Sequence, residues 1–264
     1  MVLHDQHVHS SYSVDSTQPV SAYYNYAKKL GCSYFVTTEH IDFDMKPDGK
    51  DWLVDFDSLI RDLNDLSMDG GPKPLLGVEL GYQKKYIDRL NSIASSHNFD
   101  LINLSIHDSG ECEYYFKDDY LNYGIDTVMN IYYNQMLDAV TCFDNFDVLS
   151  HMDYAYKTIY KMDHKYKMED YNEIITKILK KLIEKGKALE INTKVQGAFT
   201  DDSHLVYLLK LYYSLGGRKI TISSDAHKLE RYLESFDKYK ELAKSIGFTY
   251  LCYFVKRVEY HFPI

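Results

Sequence analysis

Residues 33–40 read SYFVTTEH, an aromatic and β-branched run that ends on an acid and a histidine. The run Ser33–Thr38 has the composition of a buried strand. The stretch before it, Pro19–Leu30, has helical spacing, with proline at its start and Gly31 just after its end. Similar strand-like runs recur along the chain, at Val2–Val8, Pro74–Leu80, Asp100–Ile106, Phe146–Ser150, Lys187–Asn192 and Lys219–Ser224.

Helical patterns separate these runs, so strand and helix alternate seven times. This alternation predicts an α/β fold in which helices cover a parallel sheet. No linker rich in proline, glycine or serine divides the chain, and we expect residues 1–264 to form a single domain. The other predicted helices are Asp55–Leu66, Lys84–His97, Asp126–Phe143, Met168–Lys185, Asp202–Leu215 and Glu230–Ile246.

Three connections are longer than is usual in such folds: Ile41–Val54, Asp108–Ile125 and Met152–Lys167. Each follows a predicted strand. We therefore expect all three at the edge where α/β barrels carry their chemistry, as rims or lids of a site. The aromatic final stretch, Thr249–Ile264, is a candidate cover for one end of a barrel.

The overall composition fits one α/β barrel domain, with 264 residues of which 45% are apolar and 26% are charged. The net charge of −9 argues against a broad nucleic-acid groove. No apolar run is long enough for a membrane span, and no signal peptide is visible. Four widely spaced cysteines without a CxxC pair predict free thiols and a cytoplasmic protein.

Histidines and carboxylates gather where the predicted strands end. Glu79 ends the third strand, Asp225 ends the seventh, and Asp15 lies in the loop after the first. Of the eleven histidines, six stand at or just after strand ends, namely His7, His9, His40, His107, His151 and His227.

The spacing of these residues has a physical meaning. Side chains two apart in a strand point to the same face, so His7 and His9 can both point into a barrel mouth. The same holds for Asp225 and His227 if that strand stays extended. Imidazoles and carboxylates suit Zn, Fe or Mn, and Glu79 can bridge two ions roughly 3.5–4 Å apart. Each histidine alone could be a hydrogen-bonded structural residue, but the whole set predicts a metal cluster.

The ordered motifs resemble the PHP (polymerase and histidinol phosphatase) family. The first motif reads DQHVHSSYSVDS and the last reads SSDAHK, with EH, a single glutamate and two single histidines between them. The resemblance runs from His7 to His227. It implies a distorted (β/α)7 barrel, similar to a TIM barrel, with two or three divalent transition metals.

The resemblance also implies how the ligands divide among three metal positions. In the third metal position, the residue type found at the place of Asp15 differs among members of the family. The first position takes His7, His9, Glu79 and Asp225; the second shares Glu79 and adds His107 and His151; the third takes Asp15, His40 and His227.

Within the family, the segments SHMDYAYK and LEINTK resemble stand-alone histidinol-phosphatases of histidine biosynthesis. That likeness implies that Lys157 and Lys194 hold the substrate phosphate, at positions that are typically arginine. Lysine keeps the charge but lacks the planar, bidentate guanidinium. Asp108 is a candidate acceptor for the basic groups of the substrate, as is Asp153; either could instead orient a ligand histidine.

The expected reaction is hydrolysis of a small phosphate ester, L-histidinol phosphate first, with inorganic phosphate as a product. A hydroxide that bridges the first two metal ions is expected to attack phosphorus, and Asp225, His227 or a water on the third metal could assist the leaving alcohol. Three alternatives remain: a related phosphoesterase acting on nucleotides or other small phosphate esters, a metal-assisted amide or ester hydrolase, and a non-catalytic metal-binding module.

Overall fold

The computed structural model describes residues 3–162 and 165–264. Its main sheet has seven strands in the order β2-β1-β3-β4-β5-β6-β7. Every neighbouring pair in this order is parallel except one: β2 pairs with β1 in antiparallel orientation. The strands are β1 Tyr34–Met45, β2 Lys50–Trp52, β3 Lys73–Gly81, β4 Leu101–Ser105, β5 Val148–Leu149, β6 Ala188–Asn192 and β7 Ile220–Ser223.

The N-terminal segment joins the two sides of this sheet at Val8. Val8 forms a parallel bridge with Ala226, just beyond β7, and its carbonyl accepts a hydrogen bond from the amide of Thr38 in β1. The segment therefore lies between β1 and the end of β7, as the first strand of a distorted barrel would. In its described part, however, Val2–Val8 pairs only at Val8; Val2 lies outside the described residues.

Helices follow most strands and cover the sheet. The first, α1, begins after Pro19 and ends at Gly31, whose φ of 74° suits glycine, and it buries Tyr23, Tyr24 and Ala27. The described helices are α1 Val20–Leu30, α2 Phe56–Ser67, α3 Ile87–Ala94, α4 Lys117–Tyr123, α5 Ile125–Cys142, α6 Tyr154–Met162, α7 Asn172–Glu184, α8 Thr193–Gln196, α9 Ser203–Ser214 and α10 Phe236–Ile246, with short 3-10 turns at Lys84–Tyr86, Met168–Tyr171 and Leu229–Arg231.

The three long connections are more ordered than their sequences indicate. Ile41–Val54 is not a loop, because β1 continues to Met45 and β2 pairs back on it. Asp108–Ile125 contains α4, and Met152–Lys167 contains α6. Residues 163 and 164, including His164, lie outside the described part of the chain. Among the helices that the structure describes, none combines the length and apolar character needed to cross a bilayer.

The final stretch forms an antiparallel hairpin of β8 Tyr250–Val255 and β9 Val258–Pro263. Its residues Cys252–Val255 share an apolar cluster with side chains from the first halves of the barrel strands, namely Val36, Leu75, Leu101, Val148 and Ala188. The hairpin thus covers the N-terminal end of the barrel. The opposite end, where the strands finish, is left for the polar side chains.

Candidate metal centre

Glu79 lies at the middle of the polar cluster, near the end of β3. It is fully buried, and its Oε2 atom faces three imidazoles at once. That oxygen lies 3.2 Å from His7 Nε2, 3.4 Å from His9 Nε2 and 2.9 Å from His40 Nδ1. Three nitrogen donors therefore converge on one carboxylate oxygen.

The other oxygen of Glu79 faces a second pair of histidines. Its Oε1 atom lies 3.4 Å from His107 Nε2 and 2.9 Å from His151 Nε2, and these two nitrogens are 3.4 Å apart. Ser105 also donates a hydrogen bond to Oε1. Glu79 thus lies between two groups of imidazoles, which is the placement a bridging carboxylate needs.

Asp225, His227 and Asp15 form the third side of the cluster. Asp225 Oδ1 lies 3.4 Å from His9 Nε2 and 3.3 Å from His227 Nδ1. Asp15 Oδ2 lies 2.8 Å from His227 Nε2 and 3.7 Å from His40 Nε2. All nine residues that the sequence nominated as metal ligands are therefore brought together.

Asp225 and His227 lie close together because of a turn, and not because of the extended strand that the sequence predicts. β7 ends at Ser223, and Asp225 has a φ of 50°, in the left-handed region. The extended alternation that would place the two side chains on one face therefore stops before them. A tight turn brings them together instead, and such conformations are frequent where a site fixes a side chain.

The donor atoms of the cluster fit divalent cations. Several of them are buried and lack a hydrogen-bond partner, a costly state for polar atoms that a bound ion would relieve. These atoms are His7 Nε2, His9 Nε2, His40 Nδ1, Glu79 Oε2 and His227 Nε2. Within this cluster, four groups have donor atoms that all lie within 4.8 Å of one another: His9–His40–His227, His7–Glu79–His151, His7–His9–Asp225 and His40–Asp42–His107.

The electrostatics of the cluster keep its carboxylates ionised. Burial by itself favours a neutral Glu79, but the imidazoles of His7 and His40 outweigh burial and hold the pKa of Glu79 well below its ordinary value. Burial also opposes ionisation of Asp15, yet His40 and His227 lower the pKa of Asp15 to about 2. Ionised carboxylates are the form that binds metal ions.

Glu190, on β6, is a functional residue that the sequence reasoning missed. Its Oε1 lies 2.7 Å from His7 Nδ1, and its Oε2 accepts a hydrogen bond from the amide of His151 at 2.7 Å. Ser223 and Asn192 also donate to it. A carboxylate inside the apolar strand run LEIN was the available signal, because a buried charge needs partners.

Asp42, on the C-terminal part of β1, plays a similar part. Its Oδ1 lies 2.9 Å from His107 Nδ1, and its Oδ2 lies 3.4 Å from His40 Nδ1. Burial lowers the pKa of His107, but the carboxylates of Asp42 and Glu79 outweigh burial and raise it to about 10. The sequence missed Asp42 because the strand was expected to end at Thr38.

Ser13 and Glu39 hold the N-terminal ligands in place. Ser13 Oγ lies 3.1 Å from His9 Nδ1 and donates to Glu39 at 2.6 Å. Glu39 also accepts from the amide and the hydroxyl of Ser10. The second nitrogen of His9 is therefore occupied, which leaves its Nε2 to face the cluster.

A cavity of about 390 Å³ opens onto the cluster. Both predicted phosphate-binding lysines line it. Lys194 Nζ lies 3.0 Å from Asp225 Oδ1 and 3.0 Å from His227 Nδ1. Lys157 is nearly buried, with its Nζ over the ring of Tyr154 at 4.0 Å from the centroid. The rest of the wall includes the aromatic residues Trp52, Tyr115 and Phe116 and two charged residues, Lys46 and Glu113.

Asp108 and Asp153 do not contribute to the lining of this cavity. The carboxylate of Asp108 accepts hydrogen bonds from the amides of Gly110 and Lys46 and so holds its own loop. Asp153 accepts a 2.6 Å hydrogen bond from Gln196 and lies 3.4 Å from His204 Nε2. Outside the metal cluster, the buried carboxylate among the described lining residues is Glu113, which the sequence did not indicate.

Comparison with known proteins agrees with this geometry. The profile of the PHP domain family matches residues 5–194. The histidinol-phosphatase of Lactococcus lactis is 30% identical over 253 residues, covering 95% of this chain and 93% of that protein. A protein of Clostridium acetobutylicum named "Probable histidinol-phosphatase" is 29% identical, covering 84% of this chain and 86% of its own length.

A solved structure is also similar. The histidinol phosphate phosphatase of Lactococcus lactis, in complex with zinc, L-histidinol and phosphate, superposes with a TM-score of 0.86 at 28% identity. The alignment covers 97% of this chain and 98% of that one. The similarity therefore extends over the whole barrel, including the strands beyond residue 194.

Proposed function

The chain belongs to the PHP domain family, and on that premise we propose that it is a metal-dependent phosphomonoesterase whose leading substrate is L-histidinol phosphate. One observation carries the proposal: Glu79 and eight other histidines and carboxylates form one cluster beside a cavity that Lys157 and Lys194 line. The similarity to histidinol-phosphatases supports the choice of substrate.

The proposed metal sites keep the division of ligands that the resemblance to the PHP family implies. His7, His9 and Asp225 would hold one ion together with one oxygen of Glu79. His107 and His151 would hold a second on the other oxygen, and Asp15, His40 and His227 a third. Bound divalent ions lower the pKa of water and offset the charge that develops on the phosphoryl group. Zinc suits this mixed set of donors, as do iron and manganese.

Lys194 and Lys157 are the proposed phosphate ligands. Both residues line the cavity beside the cluster, where their charge would offset that of a phosphate dianion facing the carboxylates. Lys194 also pairs with Asp225, and this contact orients its Nζ toward the cluster. Each lysine can donate to phosphoryl oxygens as a point charge, in contrast to the fork of an arginine.

Asp225 and His227 are the proposed proton-handling groups. Burial opposes ionisation of Asp225, but the ammonium of Lys194 outweighs burial and holds its pKa far below the ordinary value. Asp225 is therefore ionised, and its Oδ1 can accept a hydrogen bond from an attacking water and orient that water as its proton leaves. His227 Nδ1 lies 3.3 Å from the same oxygen, close enough to share that proton before the leaving alcohol takes it.

Glu113 replaces Asp108 as our proposed acceptor for the basic groups of the substrate. Glu113 lies on the cavity wall, and burial raises its pKa to about 7. Its oxygens accept hydrogen bonds from the amides of Tyr115 and Phe116, which fix the carboxylate. A cationic imidazole or amine would favour the ionised form of Glu113 and would pack beside Trp52.

We also take residues 1–264 as one catalytic domain, because Asp225 and His227 lie beyond the segment that the family profile matches. The proposed partners are a small phosphate ester and inorganic phosphate, with no nucleic-acid groove. The four free cysteines suit a reducing compartment, so we propose the cytoplasm.

The test is phosphate release by the purified, metal-analysed protein on a matched set of substrates: histidinol phosphate, glycerol phosphate, a mononucleotide and a dinucleotide. We expect two or three equivalents of zinc, iron or manganese and the highest kcat/KM on histidinol phosphate. Faster turnover of a nucleotide would reassign the substrate within the family. Absence of phosphate release with metals restored would overturn the proposal itself.

A further inference from the structure

Three metal-binding residue types meet on the terminal hairpin, at the end of the barrel away from the cavity. Cys252 on β8 and His261 on β9 are direct cross-strand partners. Glu259 is two residues before His261 on β9, so its side chain points to the same face of the hairpin. The hairpin register thus places a thiol, a carboxylate and an imidazole side by side.

The donor atoms of these residues are within reach of a single ion. Glu259 Oε1 lies 3.5 Å from Cys252 Sγ and 2.7 Å from His261 Nε2. All three donor atoms lie within 4.8 Å of one another. The ring of Tyr250 stacks on His261 with centroids 3.9 Å apart, which restricts the rotation of the imidazole.

The residues around the three side chains leave Oε1 of Glu259 available to an ion, and the site is open to solvent on the side of His261. Lys219 Nζ binds Glu259 Oε2 at 2.7 Å, so the second oxygen is already paired and Oε1 is directed at the thiol and the imidazole. Cys252 is fully buried, whereas about half of the His261 side chain is exposed. An ion would enter past His261, and water would complete a four-coordinate shell on that side.

We propose that Cys252, Glu259 and His261 form a second metal site, separate from the catalytic cluster, for a borderline-soft divalent ion such as zinc. A thiolate and a carboxylate together balance the two charges of the ion, and thiolate, imidazole and carboxylate are all ligands of zinc. Because the ligands come from both strands, the ion would fasten β8 to β9 over the N-terminal end of the barrel.

Binding requires the thiol to ionise. Burial and the neighbouring Glu259 raise the pKa of Cys252, so without metal the proton stays on sulfur and points to the carboxylate. When the ion binds, the S–H bond breaks, the S–metal bond forms and one proton leaves to solvent. Apparent affinity should therefore rise with pH across the neutral range.

The alternative is that the three side chains bind no metal and only form hydrogen bonds with one another. Cobalt(II) separates the two cases, because only a sulfur ligand gives thiolate-to-cobalt charge-transfer absorption in the near ultraviolet. The ligands proposed for the catalytic cluster are nitrogen and oxygen atoms, so cobalt bound there gives no such band. Metal-free full-length protein would be titrated with cobalt(II) and the near-ultraviolet absorbance followed.

We expect a charge-transfer band whose final intensity corresponds to one cobalt ion bound to sulfur per chain. Cys252→Ser should lose the band. His261→Gln, which changes a half-exposed side chain, should weaken cobalt binding at this site by at least about tenfold. Removing only the hydrogen-bond partner of a metal ligand already costs about that much affinity, and His261 is proposed as a ligand itself. Cys142→Ser, at an exposed free cysteine, should behave as wild type.

A wild-type protein without the band would overturn the site. So would a band that survives Cys252→Ser, or a His261→Gln variant that titrates as wild type. Circular dichroism checks that Cys252→Ser, at a buried position, is folded; if it is not, His261→Gln decides alone. The result is independent of the proposed phosphatase activity, since the measurement uses no substrate.

Discussion

Oε1 of Glu190 lies 2.7 Å from Nδ1 of His7, beneath the metal centre. This contact determines which nitrogen of His7 is free, because the proton on Nδ1 is shared with the carboxylate and Nε2 is left to face Glu79. Glu190 touches no part of the cavity, so we assign it a positioning role.

We expect Glu190→Gln to lower metal affinity and kcat by roughly 10- to 100-fold, the usual cost of losing an outer partner of a ligand histidine. The variant keeps the shape of the side chain but loses its charge. Metal content after dialysis and phosphate release measure the two effects. Glu173→Gln, at an exposed pair with Lys177, is the matched control. Undiminished metal content in Glu190→Gln would contradict the assignment.

Glu79→Gln should abolish most of the activity and release metal. The substitution removes the charge shared by two groups of imidazoles, and we expect kcat to fall by at least about 100-fold. Elemental analysis should show the loss of at least one equivalent of metal per chain. A variant with full metal content and wild-type turnover would show that Glu79 bridges nothing.

The pH dependence of kcat/KM should reflect the protonation of the Lys157 side chain. Burial and the charge of Lys194 lower the pKa of Lys157 to about 8, so the side chain is cationic below pH 8 and neutral above it. Attraction for a phosphate dianion is therefore lost as the pH rises through about 8, and kcat/KM should fall there.

Lys157→Arg gives the corresponding control, because a guanidinium stays protonated throughout this range. We expect its profile to remain level to higher pH than that of wild type. If both proteins lose activity at the same pH, the titrating group is another one.

Glu113→Gln should change selectivity rather than basal chemistry. We expect kcat/KM for histidinol phosphate to fall roughly 10- to 100-fold, since a hydrogen bond to a charged group contributes about 1.5–3 kcal/mol. Turnover of glycerol phosphate, which has no basic group, should change little. Glu111→Gln, exposed on the same loop, is the control. An equal loss on both substrates would place Glu113 outside substrate recognition.

The sequence indicated the strands and the ligands because both follow local rules. Apolar β-prone runs predict buried strands, and in a parallel barrel all strand ends meet at one edge, so residues as far apart as His7 and His227 were expected together. β1, by contrast, extends seven residues past its expected end, because β2 pairs with its polar continuation. That pairing is non-local, and it brings Asp42 to His107.

The sequence alone indicated the family, the α/β fold and the candidate metal ligands, since these follow from the order of the motifs, strand periodicity and residue type. Only the tertiary structure decided which atoms face one another. Glu190 and Asp42 support the histidines, Glu113 rather than Asp108 lines the cavity, and a left-handed turn brings Asp225 to His227. These choices depend on strand register, turn geometry and burial, which arise when distant segments pack together and cannot be read from local patterns.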